Sequence, residues 1–324
     1  MLKVKRVLPI TIVMVLLLNS MVIFASPVTH SVVKGDTLWD IGNKYDVKWE
    51  EIAEYNGVSD VLALQIGTVL KIPNKDENQN VNIAYTEYTI SIPNGDYNIP
   101  GIVCLPTGDG PYPAVVMLHG TGSDKNEAGG GYKLTAPELA KAGIASIRID
   151  FVGNGDSTED YINYNFVTAI SDANAAADYL ANLNVVDGTR IGVMGWSQGG
   201  TIALLAAGHN RSFQSVVTWA GAPDLRSIGT EDNYEIAKKD GYYTLDFDWR
   251  ESLKLGLKWF DDVYSTDVLE VLSYSDAPIL AITGSDDTVV DPVNATKIVA
   301  ASNHEQSKTL VIDNADHTFN IFTE

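Results

Sequence analysis

Gly195-Trp196-Ser197-Gln198-Gly199 stands between the apolar run Ile191-Gly192-Val193-Met194 and a helical stretch over residues 200–207. G-x-S-x-G in a strand–turn–helix setting is a nucleophile elbow, where small residues permit a turn that lifts the serine hydroxyl above a sheet. A serine hydroxyl attacks poorly until a base takes its proton, so a histidine must serve Ser197. Five histidines are available. His317, in Asp316-His317-Thr318-Phe319, follows the last apolar strand, where the general base of such a site belongs. His119 follows another strand in His119-Gly120-Thr121-Gly122, and its glycines suit an oxyanion loop. His30 opens a small N-terminal module, His209 reads as a helix end, and His304 sits in polar Ser302-Asn303-His304-Glu305. An acid must orient the imidazole, and Asp286, Asp287 and Asp291 after the penultimate strand are the candidates. The chemistry would be nucleophilic catalysis through an acyl-serine.

The elements that must position these residues alternate. Residues 86–92 and 97–105 read as a hairpin across Pro93-Asn94-Gly95-Asp96. Apolar runs at 114–118, 144–149, 191–194, 215–219, 279–282 and 309–312 then interleave with helical patterns at 136–142, 166–183 and 200–207. Short continuous apolar strands between helices predict an α/β fold with a mostly parallel sheet covered on both faces. The 324 residues suggest about two domains. A formal charge of −20 gives no footprint for nucleic acid or an anionic bilayer. The single cysteine, Cys104, makes neither an intramolecular disulfide nor a thiolate cluster, and its apolar setting reads as core.

Lys3, Lys5 and Arg6, an apolar stretch over 7–24 and Ala25-Ser26 have the layout of a secretory signal peptide over residues 1–25. Residues 30–73 read strand, helix, helix, strand, and the polar run 74–83 reads as a flexible linker. Asp36 or Thr37 can cap the first helix, Asn56-Gly57 stops the second, and Trp49, Ile52, Ala53 and Tyr55 give the second an apolar face. The words Val33-Lys34-Gly35-Asp36-Thr37-Leu38-Trp39, Asn56-Gly57 and Leu70-Lys71-Ile72-Pro73, in that order, resemble a LysM domain. The resemblance implies a binder of N-acetylglucosamine chains in peptidoglycan or chitin. It places the sugar between Gly35, Asp36, Thr37 and Leu38 on one side and Val61, Leu62, Leu64 and Ile66 on the other. Leu38 and Ile66 read equally well as core. One copy implies modest affinity, without the avidity of tandem repeats.

Residues 84–324 carry His119-Gly120, Asp150-Phe151-Val152-Gly153-Asn154-Gly155-Asp156-Ser157, Gly195-Trp196-Ser197-Gln198-Gly199-Gly200, Gly284-Ser285-Asp286-Asp287-Thr288-Val289-Val290 and Ala315-Asp316-His317-Thr318-Phe319. Together these resemble the α/β-hydrolase superfamily, nearest to its dienelactone-hydrolase-like and cinnamoyl (feruloyl) esterase group. The acid of that G-x-x-D-x-x-V word is its fourth residue, which selects Asp287. The resemblance implies a Ser197–His317–Asp287 triad and an oxyanion hole from the N–H groups of Gln198 and Thr121. Dienelactone hydrolases use cysteine as nucleophile, so the serine here disfavours that reaction. No metal, nucleotide or redox cofactor is implied. The glycines at 129–131 and 153–155 lack P-loop spacing and read as loops.

An insertion over about 222–276 carries Tyr234, Tyr242, Tyr243, Phe247, Trp249, Trp259, Phe260 and Tyr264. In cinnamoyl esterases an insertion here forms a lid. The aromatics suit an aromatic acyl group or sugar ring, and equally a self-packed lid core. Few residues follow His317, so the 309–312 strand is expected to lack cover on one face and the His317 loop to be weakly held. The leading expectation is a secreted, wall-retained serine carboxylesterase, of cinnamoyl/feruloyl or acetyl ester type. Its rivals are a prolyl-oligopeptidase-type serine peptidase, whose kind usually carries a large propeller, and a catalytically inert wall-binding protein.

Overall fold

The structure is a computed structural model that describes residues 28–72, apart from 34–35, 46, 48, 57 and 59–63, and residues 85–322. The expected signal peptide and linker lie outside the described residues. The chain divides into two compact units, residues 1–83 and 84–324.

In the first unit β1 (Thr29–Ser31) pairs antiparallel with β2 (Val69–Lys71), and α1 (Leu38–Tyr45) and α2 (Trp49–Tyr55) lie between them in sequence. The Thr37 hydroxyl caps α1 by accepting the Asp40 N–H at 3.1 Å. The Asn56 amide ends α2 by donating to the carbonyls of Ile52 and Lys71 at 2.8 and 2.7 Å. It thereby ties the helix end to β2. Val32, Leu38, Ile41, Ile52, Leu70 and Ile72 form the core. Tyr55, placed by its spacing on the apolar face, is instead exposed, because it ends a two-turn helix outside that core.

The second unit opens with the hairpin of β3 (Tyr85–Asn94) and β4 (Tyr97–Pro106), followed by β5 (Tyr112–Leu118), α3 (Gly131–Lys141) and β6 (Ala145–Ile149). Then come α4 (Phe166–Ala181), β7 (Val186–Trp196), α5 (Gln198–His209) and β8 (Phe213–Trp219). The insertion contributes α6 (Glu231–Asp240), a separate hairpin of β9 (Tyr242–Leu245) and β10 (Leu253–Gly256), α7 (Leu257–Ser265) and α8 (Val268–Leu272). β11 (Ile279–Gly284), α9 (Val293–Ala301) and β12 (Lys308–Ile312) complete it. The eight-stranded sheet runs β12-β11-β8-β7-β5-β6-β4-β3, parallel except where β4 meets β3 and β6.

The alanine-rich faces of α4 and α5 pack on one side of this sheet, with Ala173, Ala176, Ala203 and Ala206 fully buried. Alanines bring the helices close to the strands. On a second, separate core α3 lays Tyr132, Ala136 and Ala140 against Cys104, Met117, Met194 and Trp196. Burial pushes the Cys104 thiol up to about 12, which leaves it an inert core residue.

Asp172 is a buried acid on α4, and its Oδ1 accepts from Tyr97 Oη at 2.7 Å and Asn94 Nδ2 at 2.8 Å. These bonds join the hairpin turn to the helix. Burial outweighs them and raises the Asp172 carboxyl to about 6. A raised acid stabilises the fold fully below the unfolded value near 3.8 and loses that contribution as pH rises through about 6. Asp172→Asn keeps an oxygen for both donors and removes the buried charge. It is expected to raise the melting temperature at pH 8 and not at pH 4; equal shifts at both pH values would remove the charge from the explanation.

Candidate active site

Ser197 sits where β7 gives way to α5, with φ 52° and ψ −119°. A non-glycine residue there is strained, and its neighbours hold it. The Ser197 N–H donates to Trp219 O at 2.8 Å, and its carbonyl accepts from Gly200 N–H at 2.9 Å. A Cβ at Gly195 would overlap the Gly199 carbonyl, and one at Gly199 would overlap the Leu118 carbonyl. One at Gly200 would lie 2.8 Å from Gly221 Cα. The glycines of the elbow are therefore required by close backbone approach.

Asp287 follows β11 and His317 follows β12, so both stand at the carboxyl ends of parallel strands, as Ser197 does. His317 Nδ1 lies 2.9 Å from Asp287 Oδ2. The other oxygen, Oδ1, accepts the N–H groups of Val289 and Val290 at 2.9 and 2.8 Å. With its carboxylate so engaged, Asp287 takes a proton donor from the ring. His317 then carries its proton on Nδ1 and leaves Nε2 as the acceptor. The remaining acids have other work: Asp286 accepts from Ser285 Oγ at 2.8 Å and Asp291 from Val293 N–H at 2.9 Å. Among the described residues no hydrogen bond joins Ser197 Oγ to His317 Nε2. Such bonds often tighten only when substrate is present.

The edge strand β12 does leave Leu310, Val311 and Ile312 exposed. The His317 loop, however, is firmly tied. Trp196 Nε1 donates to His317 O at 3.2 Å, and Phe319 packs edge-on against Trp196 and Trp219 with centroids 5.7 and 6.1 Å apart. Asp316 Oδ1 accepts from the Thr318 and Asn320 N–H groups at 2.8 and 2.9 Å. An aromatic anchor and a capped turn therefore hold a loop expected from sequence to be weakly held.

The N–H groups of Thr121 and Gln198 have no hydrogen-bond partner among the described residues. They remain free for an oxyanion. His119 is no base: it is 1% exposed, and Nε2 accepts the Phe151 N–H at 3.1 Å while Nδ1 faces Gly120 O at 2.8 Å. Burial lowers its pKa and keeps the ring neutral, so Nδ1 is the donor.

Most aromatics of the insertion pack on one another. Tyr234 stacks on Phe260 and Tyr264, and Tyr243 and Trp259 meet Phe260 edge-on. The self-packed reading describes this cluster, which leaves Trp249 exposed beside Phe247. Trp259 Nε1 donates to Gln198 Oε1 at 3.3 Å, and Arg250 Nη1 donates to the Gly122 carbonyl. The insertion thus touches the elbow and the loop after β5.

In the first unit, Gly35, Val61 and Leu62 lie outside the described residues. Asp36 accepts from Val33 N–H at 2.9 Å and contacts His30 Nε2 at 2.8 Å, and these partners hold its carboxyl below the usual range. Thr37 is spent on the helix cap. The Leu38 side chain belongs to the core, Leu64 packs partly against it, and Ile66 is 68% exposed. Sequence reasoning missed Lys125 and Glu127, polar residues in a short charged run with no periodicity to mark them. Lys125 Nζ reaches Asp150 at 2.6 Å and Asp156 at 2.8 Å, bracing the loop behind β6.

A model of the prolyl oligopeptidase family matches residues 132–321, more than half of the chain. The chain belongs to the prolyl oligopeptidase family. A LysM domain model matches residues 30–73. This family member is 32% identical over 133 residues to 2,6-dihydropseudooxynicotine hydrolase of Paenarthrobacter nicotinovorans, covering 39% of this chain and 33% of that protein. It is 30% identical over 154 residues to esterase FrsA of Klebsiella pneumoniae strain 342, covering 47% and 36%. The chain thus spans about a third of the length of these curated relatives. Among solved structures, ferulic-acid-bound Est1E of Butyrivibrio proteoclasticus is 20% identical with a TM-score of 0.59, covering 71% of this chain and 92% of that one. Dienelactone hydrolase of Anabaena variabilis is 21% identical with a TM-score of 0.51, covering 73% and 89%. The α/β-hydrolase fold with an N-terminal LysM module stands on these matches.

Proposed function

We propose that this prolyl oligopeptidase family member is an exported serine carboxylesterase, held by its LysM module on a polysaccharide containing N-acetylglucosamine. The observation that carries the reading is the His317–Asp287 pair at 2.9 Å, at the same edge of the sheet as a serine on a strained elbow. Ser197 Oγ attacks the ester carbonyl while His317 Nε2 takes its proton. The N–H groups of Gln198 and Thr121 hold the oxyanion, and loss of one such donor typically costs about 3 kcal/mol of transition-state stabilisation. His317 returns the proton to the leaving alcohol. Water, deprotonated by the same ring, then frees the acid and restores the Ser197 hydroxyl. Cinnamoyl, feruloyl and acetyl esters are the substrate classes to test.

A second reading, cleavage of a peptide amide, is favoured by the family match over residues 132–321. The deciding experiment offers the protein a short p-nitrophenyl ester, methyl ferulate and a proline-containing peptide amide, and identifies the serine labelled by a fluorophosphonate. Ester turnover with label on Ser197 is expected. Amide turnover alone would favour the peptidase, and no turnover with no label would leave an inert wall-binding protein.

Export rests on the basic and apolar pattern of residues 1–25, and wall retention on the LysM match. Among the described residues no helix is long and apolar enough to cross a membrane. Deleting residues 30–73 is expected to leave turnover of soluble esters within about twofold of the parent, since the two units have separate cores. The deletion should also abolish pull-down on peptidoglycan or chitin. Activity that collapsed with the deletion would make the module part of the catalytic unit.

A further inference from the structure

Two consecutive peptide planes of the oxyanion loop are fixed by side chains, and one of those side chains is an acid. Glu127 is 9% exposed, its Oε2 accepts the Gly120 N–H at 2.6 Å, and its Oε1 accepts the Ala128 N–H at 3.0 Å. The His119 ring holds the Gly120 carbonyl, which also accepts the Ser123 N–H at 3.2 Å. That carbonyl and the Thr121 N–H belong to one planar trans peptide, so they point in opposite directions and fixing one aims the other. Gly120 lies between acid and nucleophile: a Cβ there would sit 3.4 Å from Ser197 Cβ and 3.8 Å from Glu127 Oε2. Glu127 itself has φ 63°, strain that a glutamate keeps only where its surroundings hold it.

We propose that Glu127 is a positioning residue of the oxyanion hole: its ionised carboxylate anchors Gly120 and thereby aims the Thr121 N–H at the developing oxyanion. The inference rests on the serine-esterase reading. Burial pushes the Glu127 carboxyl up to about 7, against the pull of the Gly120, Ser123 and Ala128 hydrogen bonds, and the nearby Asp124 charge adds to the rise. The other titratable groups around it are Tyr132 of α3, a buried phenol pushed well above its ordinary value, and His119 across Gly120, kept neutral. Lys125 is turned to Asp150 and Asp156 and does not neutralise it. Protonation replaces a charge-assisted acceptor with a weaker one, so the loop loosens as pH falls through about 7.

Turnover then needs two deprotonated groups, a neutral His317 and an ionised Glu127. The test measures kcat and KM on a p-nitrophenyl ester from pH 5 to 9 for the full chain, Ser197→Ala and Glu127→Gln, with thermal melts of each. The parent's acid limb in log kcat/KM is expected to approach a slope of two. Glu127→Gln should fall on the order of 10- to 100-fold in kcat, the cost of misplacing a reacting group by about an ångström, with KM nearly unchanged and one ionisation lost from the limb. A parent limb of slope one overturns the proposal even where the variant fails to fold. A folded Glu127→Gln whose profile superposes on the parent overturns it and leaves the esterase reading intact. Undiminished turnover in Ser197→Ala overturns both.

Discussion

Asp287→Asn is expected to lower kcat on a soluble ester by about 10⁴-fold while the protein stays folded. The direction follows from how Asp287 divides its oxygens. Oδ1 is committed to the Val289 and Val290 N–H groups, so an asparagine carbonyl takes that side. The asparagine NH₂ then replaces Oδ2 opposite His317 Nδ1, at the site of the 2.9 Å contact. A donor there forces Nδ1 to become an acceptor and moves the ring proton to Nε2. In that tautomer His317 cannot take the Ser197 proton. The defect should be much smaller in Asp286→Asn or Asp291→Asn, whose carboxylates serve Ser285 and Val293 instead. Measured kcat values that ranked Asp286 or Asp291 above Asp287 would reassign the acid.

The strands and elbow were legible because their signals are local. Continuous apolar runs such as Val115-Val116-Met117-Leu118 and Ile279-Leu280-Ala281-Ile282 are interior strands of the eight-stranded sheet, and the glycines around Ser197 mark backbone crowding directly. The acid needed more: three aspartates lie within six residues, and only the family word separated them before hydrogen bonding did. What pattern could not show is which polar residues turn inward. Glu127 lies in Asp124-Lys125-Asn126-Glu127, which reads as a solvated turn, yet Lys125 and Glu127 are both nearly buried. Their partners, Asp150 and Gly120, are 25 and 7 residues away, and nothing in the local spacing announces either contact. The aromatics of the insertion stayed open between two readings for the related reason that a ring facing substrate and a ring facing another ring have the same sequence signature. Likewise α3 begins at Gly131, ahead of the run expected from 136, because tertiary packing of Tyr132 recruits residues of poor helix propensity.

Gly199→Ala is expected to destabilise the hydrolase unit by about 4 kcal/mol or more, the range reserved for a clash that cannot relax. The added Cβ would overlap the Leu118 carbonyl oxygen and lie 2.5 Å from that of His119, and both are backbone atoms of the strand and loop beside the nucleophile. To make room, α5 must withdraw from β5, breaking the contact that sets the depth of the elbow. Gly241→Ala supplies the comparison, because Gly241 ends α6 at φ 84° with nothing within 4 Å of an added Cβ. Backbone strain alone there should cost about 1–2 kcal/mol. For a unit of this size each kcal/mol is worth about 2–4 °C in Tm. The Gly199 variant should therefore melt about 8 °C or more below the parent, or fail to fold, while the Gly241 variant loses only a few degrees. Equal losses in the two variants would mean that the overlap with the Leu118 carbonyl relaxes cheaply, and that close approach of α5 does not demand glycine at position 199.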